Sequence, residues 1–185
     1  MNKIPVFLYI LLFMALQHVN AQQLLIEKVR DQFFSLDKTE GGALQLYKML
    51  ENDNLDKQPI LLAYRGAVSA AAAGTVTGVG RKLHYFNYGK TELEKAVMLK
   101  PIDAEIRFLR LATQVNAPRF LGYNEDINSD KVIILKTLNS LNADHPNAYL
   151  YLRICRFLLT HAELNTTEKN TVKLLIIKFN TRNND

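Results

Sequence analysis

The chain has 185 residues, 48% of them hydrophobic and 22% charged, with a formal net charge of +5. That apolar content supplies a packed core and excludes a disordered chain. No run of five like charges occurs and no basic stretch is interleaved with aromatics, which excludes a nucleic-acid surface, and a single cysteine excludes an internal disulfide.

Lys3 is the only charge ahead of an apolar run from Ile4 to Leu16, and Val19-Asn20-Ala21 follows. A charged start, an apolar stretch and compact residues before a junction form the pattern of a secretory signal peptide. Cleavage is expected between Ala21 and Gln22. The run is 13 residues long, short of the ~20 that a spanning helix needs. No stable membrane span is therefore expected after cleavage. No cysteine stands at the junction to carry a lipid. The expected location is periplasmic or secreted, and the chain from Gln22 to Asp185 is read as one all-α domain.

Seven to eight helices are expected beyond the junction. They run from Gln23 to Ser35, Glu40 to Asn52, Pro59 to Ala73, Arg81 to Leu99, Ala104 to Val115, Glu125 to Leu141, Pro146 to His161 and Thr167 to Phe179. Pro59, Pro101, Pro118 and Pro146 fall where helices should start or stop. A break is expected at Gly89, with a restart at Thr91. The β-branched runs "VIIL" and "LLIIKF" could pass for strands, but each extends a polar start that resembles a helix cap. Asn165-Thr-Thr-Glu168 has the spacing of a capping box. Gly66 to Gly74, "GAVSAAAAG", reads as a tightly packed central helix, because alanine favours helix and small side chains admit close neighbours.

Arg65, Arg110 and Arg153 each end a short apolar-Arg motif, at spacings of 45 and 43 residues. That period suits helical hairpins, packed as an α-solenoid-like stack or an irregular bundle. Cys155 lies within the apolar pattern "YLYLRICRFLL" and reads as a buried thiol rather than a nucleophile.

Several catalytic and ligand patterns fail. "GTVTGVGRK", Gly74 to Lys82, lacks the Gly-Lys-Ser/Thr of a phosphate loop. "DINSD", Asp126 to Asp130, opens like a calcium loop, but Lys131 and Thr137 stand where glycine and glutamate are required. Its acids suit a helix start, capped at Asn124. His84, His145 and His161 have no metal-pair spacing. Glu92 and Glu94 flank a leucine on what should be a helix surface and do not face each other. Neither a cofactor nor a metal site is expected.

The densest polar stretch is "DAEIRFLRLATQVNAPRFLGYNEDINSDK", Asp103 to Lys131. At 100° per residue, Asp103, Arg107, Arg110 and Gln114 fall on one stripe of an otherwise apolar helix. Two readings compete. In one, Arg107, Arg110 and Gln114 form a polar clamp with Asp103, Glu105 and Asp130, because buried arginine needs carboxylate or carbonyl partners. In the other, Arg107, Arg110, Gln114 and Tyr123 line a groove that receives a partner or ligand.

Within and around that stretch, Ala96, Val97, Pro101, Glu105, Ile106, Arg107, Phe108, Leu109, Arg110, Gln114, Pro118, Phe120, Leu121, Tyr123, Asp130 and Lys131 fit one pattern. It is A-V-x3-P-x3-E-I-R-F-L-R-x3-Q-x3-P-x-F-L-x-Y followed by D-K. The chain in this respect resembles a family of exported all-helical proteins of Bacteroidetes-type bacteria, and more distantly tetratricopeptide repeats, whose period is shorter. The resemblance implies the fold and the compartment and brings no activity. The function expected is a protein- or peptide-interaction module of the cell envelope without catalysis. The alternatives are an enzyme with a dispersed site around His84, Tyr85, Arg107 and Arg110, or a small-ligand carrier with an apolar cavity between helices.

Overall fold

The computed structural model describes residues 22–51, 55 and 57–180. The expected leader and its junction at Ala21 lie outside the described residues. Eight helices form: α1 (22–33), α2 (Gly42–Leu50), α3 (Pro59–Ala72), α4 (Val79–Leu99), α5 (Ala104–Asn116), α6 (Ile127–Ser140), α7 (Ala148–His161) and α8 (Thr166–Asn180). Single 3-10 turns lie at Leu36–Lys38 and Arg119–Leu121, and no strand occurs among the described residues.

Local chemistry sets the helix ends. Pro59 occupies the first turn of α3, where its missing N–H costs nothing. Asp103 caps α5, its Oδ1 accepting from the backbone N–H of Glu105 at 3.0 Å and of Ile106 at 3.1 Å. Asn165 and Glu168 form the expected reciprocal box at α8. The Asn165 N–H donates to Glu168 Oε2 at 2.8 Å, and the Glu168 N–H donates to Asn165 Oδ1 at 2.9 Å. Three starts fall two residues later than expected, among them that of α2 at Gly42, which follows Gly41 at φ +67°. α7 begins at Ala148 because the chain turns at Pro146, where the Asn147 N–H donates to His145 Nδ1. α6 begins at Ile127, after Asp126.

Successive helices pack as hairpins, α3 with α4, α5 with α6 and α7 with α8; α3 also packs on α5, and α5 on α7. The core runs through all three hairpins, with Leu61, Leu62, Tyr64, Leu93, Phe108, Leu109, Ile134, Leu138, Ile154 and Leu158 fully buried. α1 lies across the first helices of the hairpins. Phe33 meets Tyr64 of α3 edge-on at 5.4 Å between ring centroids, and Phe34 stacks on Phe108 of α5 at 5.5 Å.

α4 is one uninterrupted helix, so the expected break at Gly89 does not occur. The glycine serves a different purpose: α3 and α4 cross backbone to backbone there. A Cβ at Gly66 would stand 2.8 Å from the Gly89 carbonyl oxygen, and one at Gly89 would collide with the Gly66 carbonyl. The tight packing expected of the alanine-rich stretch holds as far as Ser69 and Ala72; Ala71 is exposed and Gly74 lies beyond the helix.

The arginine period marks the first helix of each hairpin. Arg65 of α3 pairs with Glu92 of α4 at 2.6 Å, and Arg110 of α5 pairs with Asp130 of α6 at 2.8 Å. The third member departs from the pattern. Arg153 of α7 pairs with Asp31 of α1 at 2.9 Å and lies over the Phe34 ring.

Candidate functional site

Arg107 and Arg110 sit one turn apart on α5 and converge on Asp130, whose side chain is wholly buried. Arg107 donates to Asp130 Oδ1 at 2.7 Å and to the Pro101 carbonyl at 2.7 Å. Arg110 grips both carboxylate oxygens, through Nε to Oδ2 at 2.8 Å and through a terminal nitrogen to Oδ1 at 2.8 Å. Its other terminal nitrogen donates to Glu94 of α4 at 2.7 Å, and Asp126 lies 3.2 Å away. Such forked, charge-assisted contacts are the strong form of the guanidinium–carboxylate bond. Burial by itself would lower the pKa of Arg110; the hydrogen bonds and charges of Asp130 and Glu94 reverse that and hold it raised.

Tyr123 closes the assembly from the turn between α5 and α6. Its hydroxyl donates to Glu94 Oε1 at 2.8 Å, its ring meets Phe86 edge-on, and Lys90 lies over its face. Burial and the adjacent Glu94 carboxylate push its phenol well above the ordinary range. Gly122 adopts φ +60° at the end of that turn, a left-handed conformation that glycine takes without steric cost. Arg107, Arg110, Asp130 and Tyr123 therefore belong to one network, with Glu94 as the member that joins α4.

The other candidates go elsewhere. Asp103 is spent on the cap of α5. Glu105 faces the opposite side of the helix, where Arg30 of α1 grips it at 2.6 and 2.7 Å and the Tyr64 hydroxyl donates to it at 2.7 Å. Gln114 is buried, and neither of its side-chain amide atoms has a hydrogen-bond partner among the described residues. His84 is exposed and touches Tyr85 edge-on. Ten residues of helix, about 15 Å, separate it from Glu94, so the dispersed set around His84 and Arg110 is not brought together.

Glu92 and Glu94 correct the sequence reading of that pair. Glu92 is buried against Arg65, and Glu94 is half-buried against Arg110. Two residues apart, they point to opposite neighbours, α3 and α5, so neither lies on a free surface. Sequence spacing carried no sign of the Arg30–Glu105 pair, whose members are 75 residues apart.

No family model, curated protein or solved structure matches the chain.

The remaining reactive groups are quiet. Cys155 is fully buried, and burial pushes its thiol up to about 12. Among the described residues, no group of three or more His, Cys, Asp or Glu could hold a metal ion, and no helix is long and apolar enough to cross a membrane. Among the described residues, two small depressions stand out on the surface. One of about 60 Å³ lies between α1 and α7 beside Arg30, Asn147 and Arg153; one of about 120 Å³ lies beside Gln32, Thr39, Gln45 and Met49. Neither is lined by Arg107, Arg110, Tyr123 or His84. Chemically, the arginine network neutralises itself: it ties α4, α5, α6 and the intervening turn together and presents no unopposed charge.

Proposed function

We propose that the chain is an exported helical scaffold of the cell envelope that acts by binding a protein or peptide, without catalysis. One observation carries this reading: Arg107 and Arg110, the strongest candidates for chemistry, are engaged by Asp130, Glu94 and Asp126 from within the chain. Stacked hairpins that spend their polar residues on internal ties leave recognition to exposed side chains. The leader-like segment before Gln22 supports the compartment, and the family resemblance supports both fold and compartment.

Two measurements test it. Amino-terminal sequencing of the protein from the producing cell's periplasm or medium should begin at Gln22; a chain that retains Lys3 and stays inside the cell defeats the export reading. The folded chain, immobilised and exposed to solubilised envelope, should retain a specific protein that the same chain immobilised in a heat-unfolded state does not. Equal retention by both defeats the binding reading.

A further inference from the structure

The carboxylates of α4, α6 and α8 all have partners within the chain. Glu92 goes to Arg65, Glu94 to Arg110 and Tyr123, Asp130 to Arg107 and Arg110, and Glu168 to Lys131 and the Asn165 N–H. The cations of these helices divide differently. Lys131 is buried, whereas Lys136, Lys169 and Lys173 are exposed. The outer sides of α6 and α8 therefore carry lysine and no outward carboxylate.

Apolar side chains stand among those lysines. Met98, Ile102, Val132, Leu174 and Ile177 are between 61% and 81% exposed. On α6, Val132 and Lys136 are four residues apart and share one face; on α8, Leu174 and Ile177 are three apart and do the same. Cross-links place the rows side by side. The Thr137 hydroxyl of α6 donates to the Ile102 carbonyl, and Lys178 of α8 donates to the Asn139 carbonyl of α6. Exposed acids in this half of the chain, Glu125, Asp144 and Glu163, lie in turns rather than on these helices.

We infer that this face of α4, α6 and α8 docks an acidic, amphipathic protein segment, its apolar residues against Met98, Ile102, Leu174 and Ile177 and its carboxylates against Lys136 and Lys173. The inference rests on the interaction reading above and names the partner's chemistry. Charge complementarity selects the sign of the partner, and apolar side chains exposed beside the charges supply contact area that a purely ionic surface lacks. The face carries no exposed aromatic, the side-chain type that anchors helices at lipid interfaces, which favours a peptide over an anionic membrane.

The test uses the chain purified from Gln22 onward and a fluorescent amphipathic helix bearing leucine on one face and glutamate on the other. Its counterpart with lysine in place of glutamate is the control. Fluorescence anisotropy should show binding of the acidic peptide alone, weakening as ionic strength rises from about 0.1 M towards 1 M. Lys136→Glu with Lys173→Glu should weaken it about tenfold, and Ile102→Ser with Leu174→Ser by a similar factor. Both double variants change exposed positions and should melt with the parent. Equal binding of the two peptides, or undiminished binding by the charge-reversed variant, overturns the proposal. So does retention on anionic phospholipid vesicles without binding of the acidic peptide, which assigns the face to lipid. An envelope protein captured equally by the parent and the charge-reversed variant leaves the interaction reading standing and removes this face from it.

Discussion

Asp130 lies 2.8 Å from Arg110 through two separate nitrogens and 2.7 Å from Arg107, with its side chain wholly removed from solvent. One carboxylate thus engages two guanidiniums and fixes α6 against α5, while Glu94 supplies Arg110 with a second negative charge. Breaking a buried ion pair from one side strands the other charge, which costs roughly 3–5 kcal/mol. Asp130→Ala should therefore lower the melting temperature by roughly 10 °C. Arg110→Ala should cost less, because Arg107 still faces Asp130, and Arg107→Ala least, because that side chain is closer to solvent. Thermal and urea unfolding of the three variants checks this order. An Arg110→Ala protein that melts with the parent removes the clamp from the account of stability.

Gly66 and Gly89 predict a sharper contrast. A methyl group at Gly89 meets the backbone of α3, including the Ala70 nitrogen at 2.7 Å, and backbone cannot swing aside as a side chain can. Gly89→Ala should destabilise by about 1–3 kcal/mol through forced separation of the helices. Gly80, two residues into α4, has nothing within 4 Å of its would-be Cβ. Gly80→Ala should be neutral or stabilise by up to about 1 kcal/mol through helix propensity. Urea midpoints measure both; equal effects in the two variants would refute the close crossing.

Gly89 also illustrates what a sequence can carry. Glycine inside a helical pattern reads as a break because its intrinsic propensity is poor, yet the crossing with Gly66 is a tertiary demand that overrides propensity. Features encoded within four residues were legible, such as the Asn165–Glu168 box and the apolar stripes that define the helices; Asp103, expected in the clamp, caps α5 instead. The arginine stripe on α5 was legible as well, because period alone puts Arg107 and Arg110 on one side. Their partners were legible only in part. Asp130 stood out in the same stretch, but Glu94 belongs to the preceding hairpin. Glu105, two residues past the cap, gave no sign that its arginine lies on α1. Pairing between distant elements depends on how helices stack, and no local spacing encodes it.

Gln114 is a buried amide with neither nitrogen nor oxygen partnered among the described residues. An unsatisfied buried polar group costs about 1–3 kcal/mol, and an apolar side chain of similar shape escapes that cost. Gln114→Met should raise the melting temperature by a few degrees, since each kcal/mol shifts a domain of this size by about 2–4 °C. A destabilised Gln114→Met protein would mean that the amide is satisfied in solution.

Alkaline pH should unfold the protein through its buried acids. Burial, with Glu105 beside it, holds the Tyr64 phenol well above its ordinary 10.0. Burial and Glu94 do the same for Tyr123, and burial moves the Cys155 thiol from 9.0 to about 12. In the unfolded chain these groups lose their protons first, so proton loss favours the unfolded state. Their contribution is complete below about pH 9, where both states keep the protons. It declines as pH climbs through 9.0 for the thiol and 10.0 for the phenols, and is lost as the folded-state groups titrate. Urea unfolding at stepped pH should therefore give a plateau near neutrality and a steady fall above it. Cys155→Ala should remove the earliest part of the fall, and Tyr123→Phe a later part. Tyr123→Phe should also cost about 1 kcal/mol at neutral pH, because Glu94 loses a hydrogen-bond donor. Arg110 adds no slope of its own to this window, because Asp130 and Glu94 hold its guanidinium raised. Identical alkaline slopes in the parent and both variants would show that other groups govern the transition.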